Sequence, residues 1–165
     1  MLGGEAGKVV LLGFSQGGAM ALVSWLLWKG GSLGAVVVMS GFMPLAESLM
    51  TEDKDDEMSS DGLFEREDDQ YSRTPLQRAV DELREEAELD SLPPATSFPF
   101  LKTTVFVGHG QKDQDVEYCH GQQAANLLER MGVDVELKSY PDLAHWYCPE
   151  ELGDIVQFID QRLGS

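Results

Sequence analysis

One serine lies in a short glycine-flanked motif that is typical of nucleophilic catalysis. Residues 13–17 read Gly-Phe-Ser-Gln-Gly, which fits the pattern G-x-S-x-G, and they follow an apolar run and precede a helical stretch. In such a strand–turn–helix segment the glycines permit a sharp turn, which would raise the Ser15 hydroxyl above the sheet at the start of the helix. The context makes Ser15 a candidate nucleophile, and an incidental serine in a glycine-rich turn is the alternative.

A serine hydroxyl is a poor nucleophile at neutral pH and needs a base that is oriented by an acid. The chain offers three histidines, at positions 109, 120 and 145. Asp113 and His145 follow the third and fourth predicted strands, which gives the order serine, acid, histidine that serine hydrolases of the α/β type use. The carboxyl ends of parallel strands meet at one edge of a sheet. We therefore predict Asp113 as the acid and His145 as the base, with Asp115 as the alternative acid and an ordinary loop histidine as the alternative role of His145.

The other polar residues near these loops have plainer interpretations. His109 precedes Asp113 at a strand end, where a structural hydrogen bond is the expected role. His120 falls on the flank of a predicted helix and is expected at the surface. His109, Asp113 and Asp115 could mimic a metal cluster, but no second group at a recognised ligand spacing accompanies them. We predict no metal site.

Alternating strands and helices would position these groups. The predicted strands span residues 8–12, 35–39, 103–107 and 133–140, and the helices span 19–28, 116–131 and a last segment from Pro149. Strands separated by helices imply an α/β fold with a parallel sheet and right-handed crossovers. The first strand is predicted to be buried on both faces, and Trp25 and Trp28 are predicted to lie in the core.

Two helices have apolar residues at helical spacing. The predicted core-facing residues are Ala124, Leu127, Leu128 and Met131 in one helix, and Leu152, Ile155, Val156 and Ile159 in the last.

The charge of the chain is concentrated in one segment. The 165 residues include 12 Lys and Arg and 29 Asp and Glu, a net charge of −17, which argues against binding to nucleic acid or to anionic membrane surfaces. Most of the excess lies between the second and third strands, where residues 47–92 read as an acidic, partly disordered insertion. Within it, Thr74 to Gln77 has the form of a capping box and starts a predicted amphipathic helix. A lid or a docking site for a basic partner is the alternative role of the insertion.

Several segments of the sequence resemble segments of a known family. Residues 8–22, which contain the Ser15 motif, are similar to the nucleophile segment of the acyl-protein thioesterases, in the phospholipase/carboxylesterase family of α/β hydrolases. Residues 39–45, the Gly108-His109-Gly110 run with Asp113, and residues 140–145 resemble three further segments of that family. The resemblance covers about residues 8–45 and 98–163. It implies an α/β-hydrolase fold, Ser15 as nucleophile, Asp113 and His145 as its partners, and no cofactor.

The sequence departs from the family pattern in ways that bear on activity. Gln114 stands where the family usually has Pro, Asp142 stands where it often has Gly, and the acidic insertion is longer than usual. The family places several strands before the nucleophile strand, and a loop among them supplies part of the oxyanion hole. We therefore expect residues 1–165 to form one partial domain that corresponds to the C-terminal half. The backbone N–H of Gln16 is then the remaining oxyanion donor, and the exposed first strand could support self-association.

Two functions from different classes follow. The first is a serine hydrolase for thioesters or carboxylic esters, whose substrate is an acylated protein or a small acyl ester or lipid; the second is a truncated, non-catalytic relative that binds acyl groups or a partner. Phe14 and Trp146 are candidate substrate-binding residues, and plain packing is an equal alternative for Trp146. The sequence shows no targeting segment or membrane span, and its two cysteines suggest no disulfide framework, so the expected location is the cytoplasm.

Overall fold

A computed structural model describes residues 5–46, 75–90 and 98–164. The chain divides into two compact units, of which the first comprises Met1–Pro44 with Phe98–Ser165 and the second comprises Leu45–Ser97. The acidic insertion predicted at 47–92 falls within the second unit. Much of the insertion lies outside the described residues, so its disorder, and its place within a single partial domain, stay predictions.

The first unit is built on a parallel sheet of four strands in the order β1-β2-β3-β4. The strands are β1 (Val10–Phe14), β2 (Ala35–Met39), β3 (Thr104–Gly110) and β4 (Val135–Tyr140). In the register, Phe14 pairs with Met39, Met39 with Gly108, and Gly110 with Tyr140, so that the carboxyl ends of all four strands lie at one edge. The predicted parallel sheet is confirmed.

Three helices of this unit cover the sheet. These are α1 (Gln16–Leu26), α3 (Tyr118–Arg130) and α4 (Pro149–Leu163). Helix α1 packs on β1 and β2, α3 packs on β3 and β4, and α4 packs on β2 and β3. The α4 side of the sheet carries a buried cluster of Ala35, Val37, Met39, Phe106, Ile155 and Phe158. Gly18 of α1 approaches Val38, and Gly121 of α3 approaches His109. Because these strand positions alternate with those of the cluster, α1 and α3 lie on the opposite side.

The second unit contributes one described helix, α2 (Pro75–Glu86). Ala79, Val80 and Leu83 of this helix are buried, as expected for the amphipathic helix predicted to start within Thr74 to Gln77. The side chain of Arg84 donates from Nε to the backbone oxygen of Asp90 at 2.6 Å, beyond the C-terminal end of the helix.

Burial of β1 differs from the prediction. Strand β2 is buried at every residue, whereas in β1 only Gly13 is fully buried and Leu12 is 55% exposed. β1 is the first strand in the order of the described sheet, and α4 packs on β2 and β3 rather than on β1. The side chain of Leu12 is therefore left uncovered by these elements. The prediction from the apolar run that β1 is buried on both faces is therefore wrong, and the exposure of Leu12 agrees instead with the exposed first strand expected from the family pattern.

The bounds of some elements and the burial of some side chains also differ from the sequence prediction. Helix α1 begins at Gln16 rather than at residue 19, because the helix starts directly at the turn that follows β1. Trp25 is buried as predicted, but Trp28 lies beyond the end of α1, is half exposed and donates to Gly31 O at 3.1 Å.

In α4 the buried residues are Glu151, Ile155 and Phe158, whereas Leu152 and Val156 of the predicted set are exposed. The face against the sheet is thus rotated by about one residue from the predicted face. Helix α3 buries all of its predicted residues, including Met131 just beyond its end. Within the described residues, no helix is both long enough and apolar enough to span a membrane.

Candidate active site

The turn between β1 and α1 holds Ser15 in an uncommon backbone conformation. Its φ of 56° and ψ of −124° lie where L-residues are rarely found. The N–H of Ser15 donates to Met39 O at 2.8 Å, and Ser15 O accepts from Gly18 N–H at 2.9 Å and from Ala19 N–H at 3.2 Å. These bonds fasten the turn to β2 and to the first turn of α1. Such conformations persist only where the surroundings enforce them, and they cluster at functional sites.

The turn also requires glycine at position 13. A Cβ atom there would lie 2.1 Å from the backbone oxygen of Gly17, which is far inside van der Waals contact. A Cβ at Gly17 itself would meet nothing within 4 Å. The first glycine of the motif is therefore needed for the close approach of α1 to β1, whereas the second is free of steric demand among the described residues.

The structure brings Ser15, His145 and Asp113 together in a hydrogen-bonded chain. His145 Nε2 lies 2.9 Å from Ser15 Oγ, and His145 Nδ1 lies 2.8 Å from Asp113 Oδ2. An ionised carboxylate only accepts, so Nδ1 carries a proton and Nε2 is left to accept from the serine hydroxyl. These are the three residues that their order in the sequence predicts.

Asp113 is held from both of its oxygens. Its side chain is fully buried, and Oδ1 accepts from the N–H groups of Asp115 at 3.0 Å and Val116 at 2.9 Å. Burial by itself raises the pKa of Asp113, but the hydrogen bonds from His145, Val116 and Asp115 outweigh it and leave that pKa below its usual value. Asp113 is thus a fixed negative charge beside the imidazole.

The loops after β3 and β4 contact each other through their backbones. The N–H of Lys112 donates to Leu143 O at 3.0 Å, and a Cβ at Gly110 would lie 2.2 Å from that same oxygen. At the surface, Lys112 Nζ and Asp142 Oδ1 form an exposed ion pair at 2.6 Å. The backbone contact, which glycine permits, joins the loop that carries Asp113 to the loop that carries His145.

The alternative acid, Asp115, is exposed and contributes its backbone N–H to Asp113 Oδ1. Ligand atoms of Asp113, Asp115 and His145 lie within 4.8 Å of one another, a spacing that a shared metal ion would require. However, the nearest atoms of Asp113 and His145 already bond to each other. Both oxygens of Asp113 are satisfied without an ion.

The other sequence candidates lie around Ser15 and His145. Gln16 opens α1, and its backbone N–H has no acceptor among the described residues, beside the positive end of the helix. The Phe14 ring lies 4.9 Å from the His145 ring and 6.1 Å from the Trp146 ring. Trp146 is 60% exposed, and its ring lies beside the rings of Phe14 and Tyr147.

Sequence reasoning missed one buried carboxyl group, that of Glu151, which packs against β3. Glu151, near the start of α4, is fully buried, and neither of its oxygens has a partner among the described residues. Burial raises its pKa to about 7, and Asp154 adds a smaller repulsion. A Cβ at Gly108 would lie 2.3 Å from Glu151 Oε1, so the carboxyl group rests directly on β3. Its i, i+4, i+7 spacing with Ile155 and Phe158 was the available signal.

Two sequence expectations about histidines agree with the structure. His109 is fully buried at the end of β3 and contacts Val116 O through Nε2 at 2.9 Å, while His120 is exposed on α3. Cys119 and Cys148 are unpaired thiols. Cys148 precedes α4, and its Sγ accepts from Glu151 N–H at 3.5 Å.

A family model and several curated proteins match most of the chain. The model of the phospholipase/carboxylesterase family matches residues 2–57 and 90–163. Acyl-protein thioesterase 1 of Debaryomyces hansenii is 30% identical over 161 residues, which cover 96% of this chain and 50% of that protein. Carboxylesterase SOBER1 of Arabidopsis thaliana is 29% identical over 156 residues, covering 94% of this chain and 49% of that protein. The chain thus spans about half the length of the curated relatives it matches.

Solved structures of other proteins resemble this chain in fold. The crystal structure of Arabidopsis thaliana SOBER1 matches with a TM-score of 0.63 and 27% identity, over 98% of this chain and 56% of that one. The Bacillus cereus carboxylesterase, with a TM-score of 0.54 and 14% identity over 96% of this chain and 51% of that one, supports the fold alone. The resemblance read from the sequence and the α/β-hydrolase fold are both confirmed. The chain therefore belongs to the phospholipase/carboxylesterase family of α/β hydrolases.

Proposed function

We propose that the chain carries the reacting groups of a serine hydrolase that cleaves carboxylic esters or thioesters of acyl chains through an acyl-serine intermediate. The observation that carries the proposal is the chain of two short hydrogen bonds from Ser15 Oγ through His145 to the buried Asp113. The names of its relatives, acyl-protein thioesterase and carboxylesterase, support the same class of reaction.

In the proposed reaction His145 acts as general base. Its Nε2 takes the Ser15 proton as Oγ attacks the acyl carbonyl carbon, and the Nδ1–H bond to Asp113 stabilises the resulting imidazolium. The carbonyl oxygen gains negative charge, and the N–H of Gln16 at the start of α1 is placed to donate to it. When the carbon–sulfur or carbon–oxygen bond breaks, His145 returns the proton to the leaving thiol or alcohol. Water then attacks the carbonyl carbon of the acyl-Ser15 ester while His145 Nε2 takes a proton from it. As the bond from that carbon to Oγ breaks, His145 returns the proton to Ser15 Oγ, which releases the carboxylic acid.

The aromatic groups beside Ser15 support an apolar acyl substrate. Phe14 lies next to His145, and Trp146 and Tyr147 stack with ring centroids 5.2 Å apart and are 60% and 46% exposed. Such rings offer apolar area without charge. We propose an acylated protein, or a small acyl ester or lipid, as substrate, and Phe14 and Trp146 as residues that contact it. Self-association through β1 and a cytoplasmic location remain predictions.

A second candidate is a relative that binds acyl groups or a partner without turnover. It is favoured by the single oxyanion donor, Gln16 N–H, that we identify among the described residues. Loss of one such donor typically lowers kcat by about 10²–10³-fold. Binding would then persist where turnover is too slow to matter.

Incubation with p-nitrophenyl esters and acyl thioesters, followed by rapid acid quench and peptide mass analysis, separates the two candidates. The hydrolase proposal predicts product release above the uncatalysed rate and an acyl adduct on the peptide that contains Ser15. Ser15→Ala should abolish both, while Ser24→Ala, at an exposed position of α1, should change neither. Hydrolysis no faster than that of Ser15→Ala, with no adduct, would favour the binding role.

A further inference from the structure

A second histidine lies beside the proposed acid and takes no part in the proposed proton transfers. His109, at the end of β3, has no exposed surface, and its Nε2 lies 2.9 Å from Val116 O and 3.5 Å from Asp113 Oδ2. The shorter of these contacts is a hydrogen bond, and the longer is too long to compete with the 2.8 Å bond from His145 to the same oxygen. The imidazole of His109 is therefore a buried polar group beside Asp113 with no role in the proposed reaction.

The partners of His109 define its protonation. A backbone carbonyl only accepts, so Nε2 carries the proton that bonds to Val116 O. Nδ1 has no partner among the described residues and faces Gly121, where a Cβ would lie 2.4 Å from it. Desolvation lowers the pKa of His109, against the opposing effects of the Val116 bond and of Asp113, while His145 and His120 lower it further. The ring is therefore neutral, with its single proton on Nε2.

The peptide groups of Val116 connect His109 to Asp113. Val116 O accepts from the His109 ring, and Val116 N–H donates to Asp113 Oδ1 at 2.9 Å. Val116 precedes α3, and the N–H of His120 donates to Glu117 O at 2.9 Å rather than to Val116 O. The imidazole is thus the donor to Val116 O, and it fixes the segment that orients Asp113.

We propose that His109 is a positioning residue, whose neutral Nε2–H form fastens Val116 so that Asp113 presents Oδ2 to His145. Its effect on acyl transfer rests on the function proposed above, but its effect on the His145–Asp113 bond does not. A substitution that removes the donor frees Val116 O and with it the loop that carries Asp113. A substitution that keeps a donor at the same place should preserve the bond.

Two near-isosteric variants separate the donor from the volume. In His109→Gln the side-chain amide nitrogen can take the place of Nε2, whereas His109→Met has similar length and no donor. His120→Gln, at an exposed histidine of the next helix, is the matched control. Proton NMR of the bonded Nδ1–H of His145 reports the contact with Asp113 without any need for turnover, and thermal unfolding reports stability.

We expect the downfield His145 Nδ1–H resonance to be present in the wild type, His109→Gln and His120→Gln, and absent or broadened in His109→Met at temperatures where that variant is folded. Acyl transfer to Ser15 should fall by about 10–100-fold in His109→Met with little change in KM, since about 1 Å of misplacement has effects of this size. In wild type, nitrogen-15 spectra should show His109 as a neutral ring protonated at Nε2.

Three results would overturn the proposal. One is an Nδ1-protonated or charged His109 in the wild type, a measurement that stands even if no variant folds. Another is an unchanged His145 resonance in folded His109→Met, and the third is equal loss of that resonance in His109→Gln and His109→Met. Failure of the proposed function would look different, because acyl transfer would be absent from the wild type while the His145 resonance remained.

Discussion

Strands β1 and β3 both lead to a proposed reacting group, yet they are covered very differently. β3 is buried from Val105 to Gly110 and carries the loop of Asp113, whereas β1 exposes 55% of Leu12 and carries Ser15. The two apolar sequences look alike, so the difference comes from position: β3 has a strand on each side and a helix on each face, while β1 ends the strand order.

This contrast separates what stabilises the fold from what positions the serine. The buried cluster between α4 and the central strands supplies apolar burial, while Ser15 depends on short-range features of its turn. These are the bond from Ser15 N–H to Met39 O and the close approach of Gly17 to Gly13. Substitutions in the two regions should therefore affect different measurements.

The largest expected effect is on stability, from the centre of the sheet. Phe106 has no exposed surface and packs against Phe158 with ring centroids 5.4 Å apart, so Phe106→Ala should lower the free energy of unfolding by about 3–5 kcal/mol. Leu12→Ala, on the open strand, should cost less than about 1 kcal/mol. Urea denaturation of both variants measures the difference. Equal losses would show that β1 is as well covered as β3.

The next effect is on the serine turn. Gly13→Ala would force a Cβ to within 2.1 Å of Gly17 O, so the turn must move and acyl transfer to Ser15 should fall by about 100-fold, as expected for a shift of about 1 Å. Gly17→Ala adds a methyl group that meets nothing within 4 Å and is the matched control. Labelling kinetics with a fluorophosphonate measure both. A Gly13→Ala rate equal to that of Gly17→Ala would show that the turn does not hold Ser15.

A smaller effect concerns pH, through the buried carboxyl group under β3. Because burial raises the pKa of Glu151 from 4.5 to about 7, its protonated form stabilises the folded chain at low pH, and this contribution is lost as the pH rises through about 7. Between about pH 5 and pH 8 the Tm of the wild type should fall more steeply than that of Glu151→Gln, by at least about 2 °C, the shift that 1 kcal/mol gives at this size. Glu150→Gln, at the exposed neighbouring position, should keep the wild-type slope. Parallel slopes for all three proteins would contradict the assignment.

The smallest effect is expected from the ion pair that joins the two site loops at the surface. Lys112 and Asp142 lie 2.6 Å apart, but their side chains are 63% and 91% exposed. Exposed pairs contribute little, so Lys112→Ala should change the labelling rate by less than about twofold and leave Tm nearly unchanged. A loss comparable to that of Gly13→Ala would mean that side-chain charge, rather than the Lys112 N–H to Leu143 O bond, holds the loops together.

Features that depend on the order of the strands could be predicted from the sequence. Burial that depends on which neighbouring element packs against a residue could not. β2 was predicted at residues 35–39 and lies there, and Ser15, Asp113 and His145 come together because parallel strands present their carboxyl ends at one edge. The cover of β1 and the exposure of Trp28 could not be read from apolar runs, because burial depends on which element packs where. The same holds for α4, whose inward face includes Glu151, a residue that hydrophobic spacing alone leaves out.

Covalent labelling with a fluorophosphonate shows whether Ser15 is an activated nucleophile. Intact mass and peptide mapping should show one adduct, on Ser15, that forms in the wild type and is lost in Ser15→Ala. The rate should fall by at least about 10²-fold in His145→Gln, as expected when a general base is removed. Folded wild-type protein that gains no adduct would contradict the role of Ser15. Labelling of His145→Gln as fast as that of the wild type would contradict the activation of Ser15 by His145.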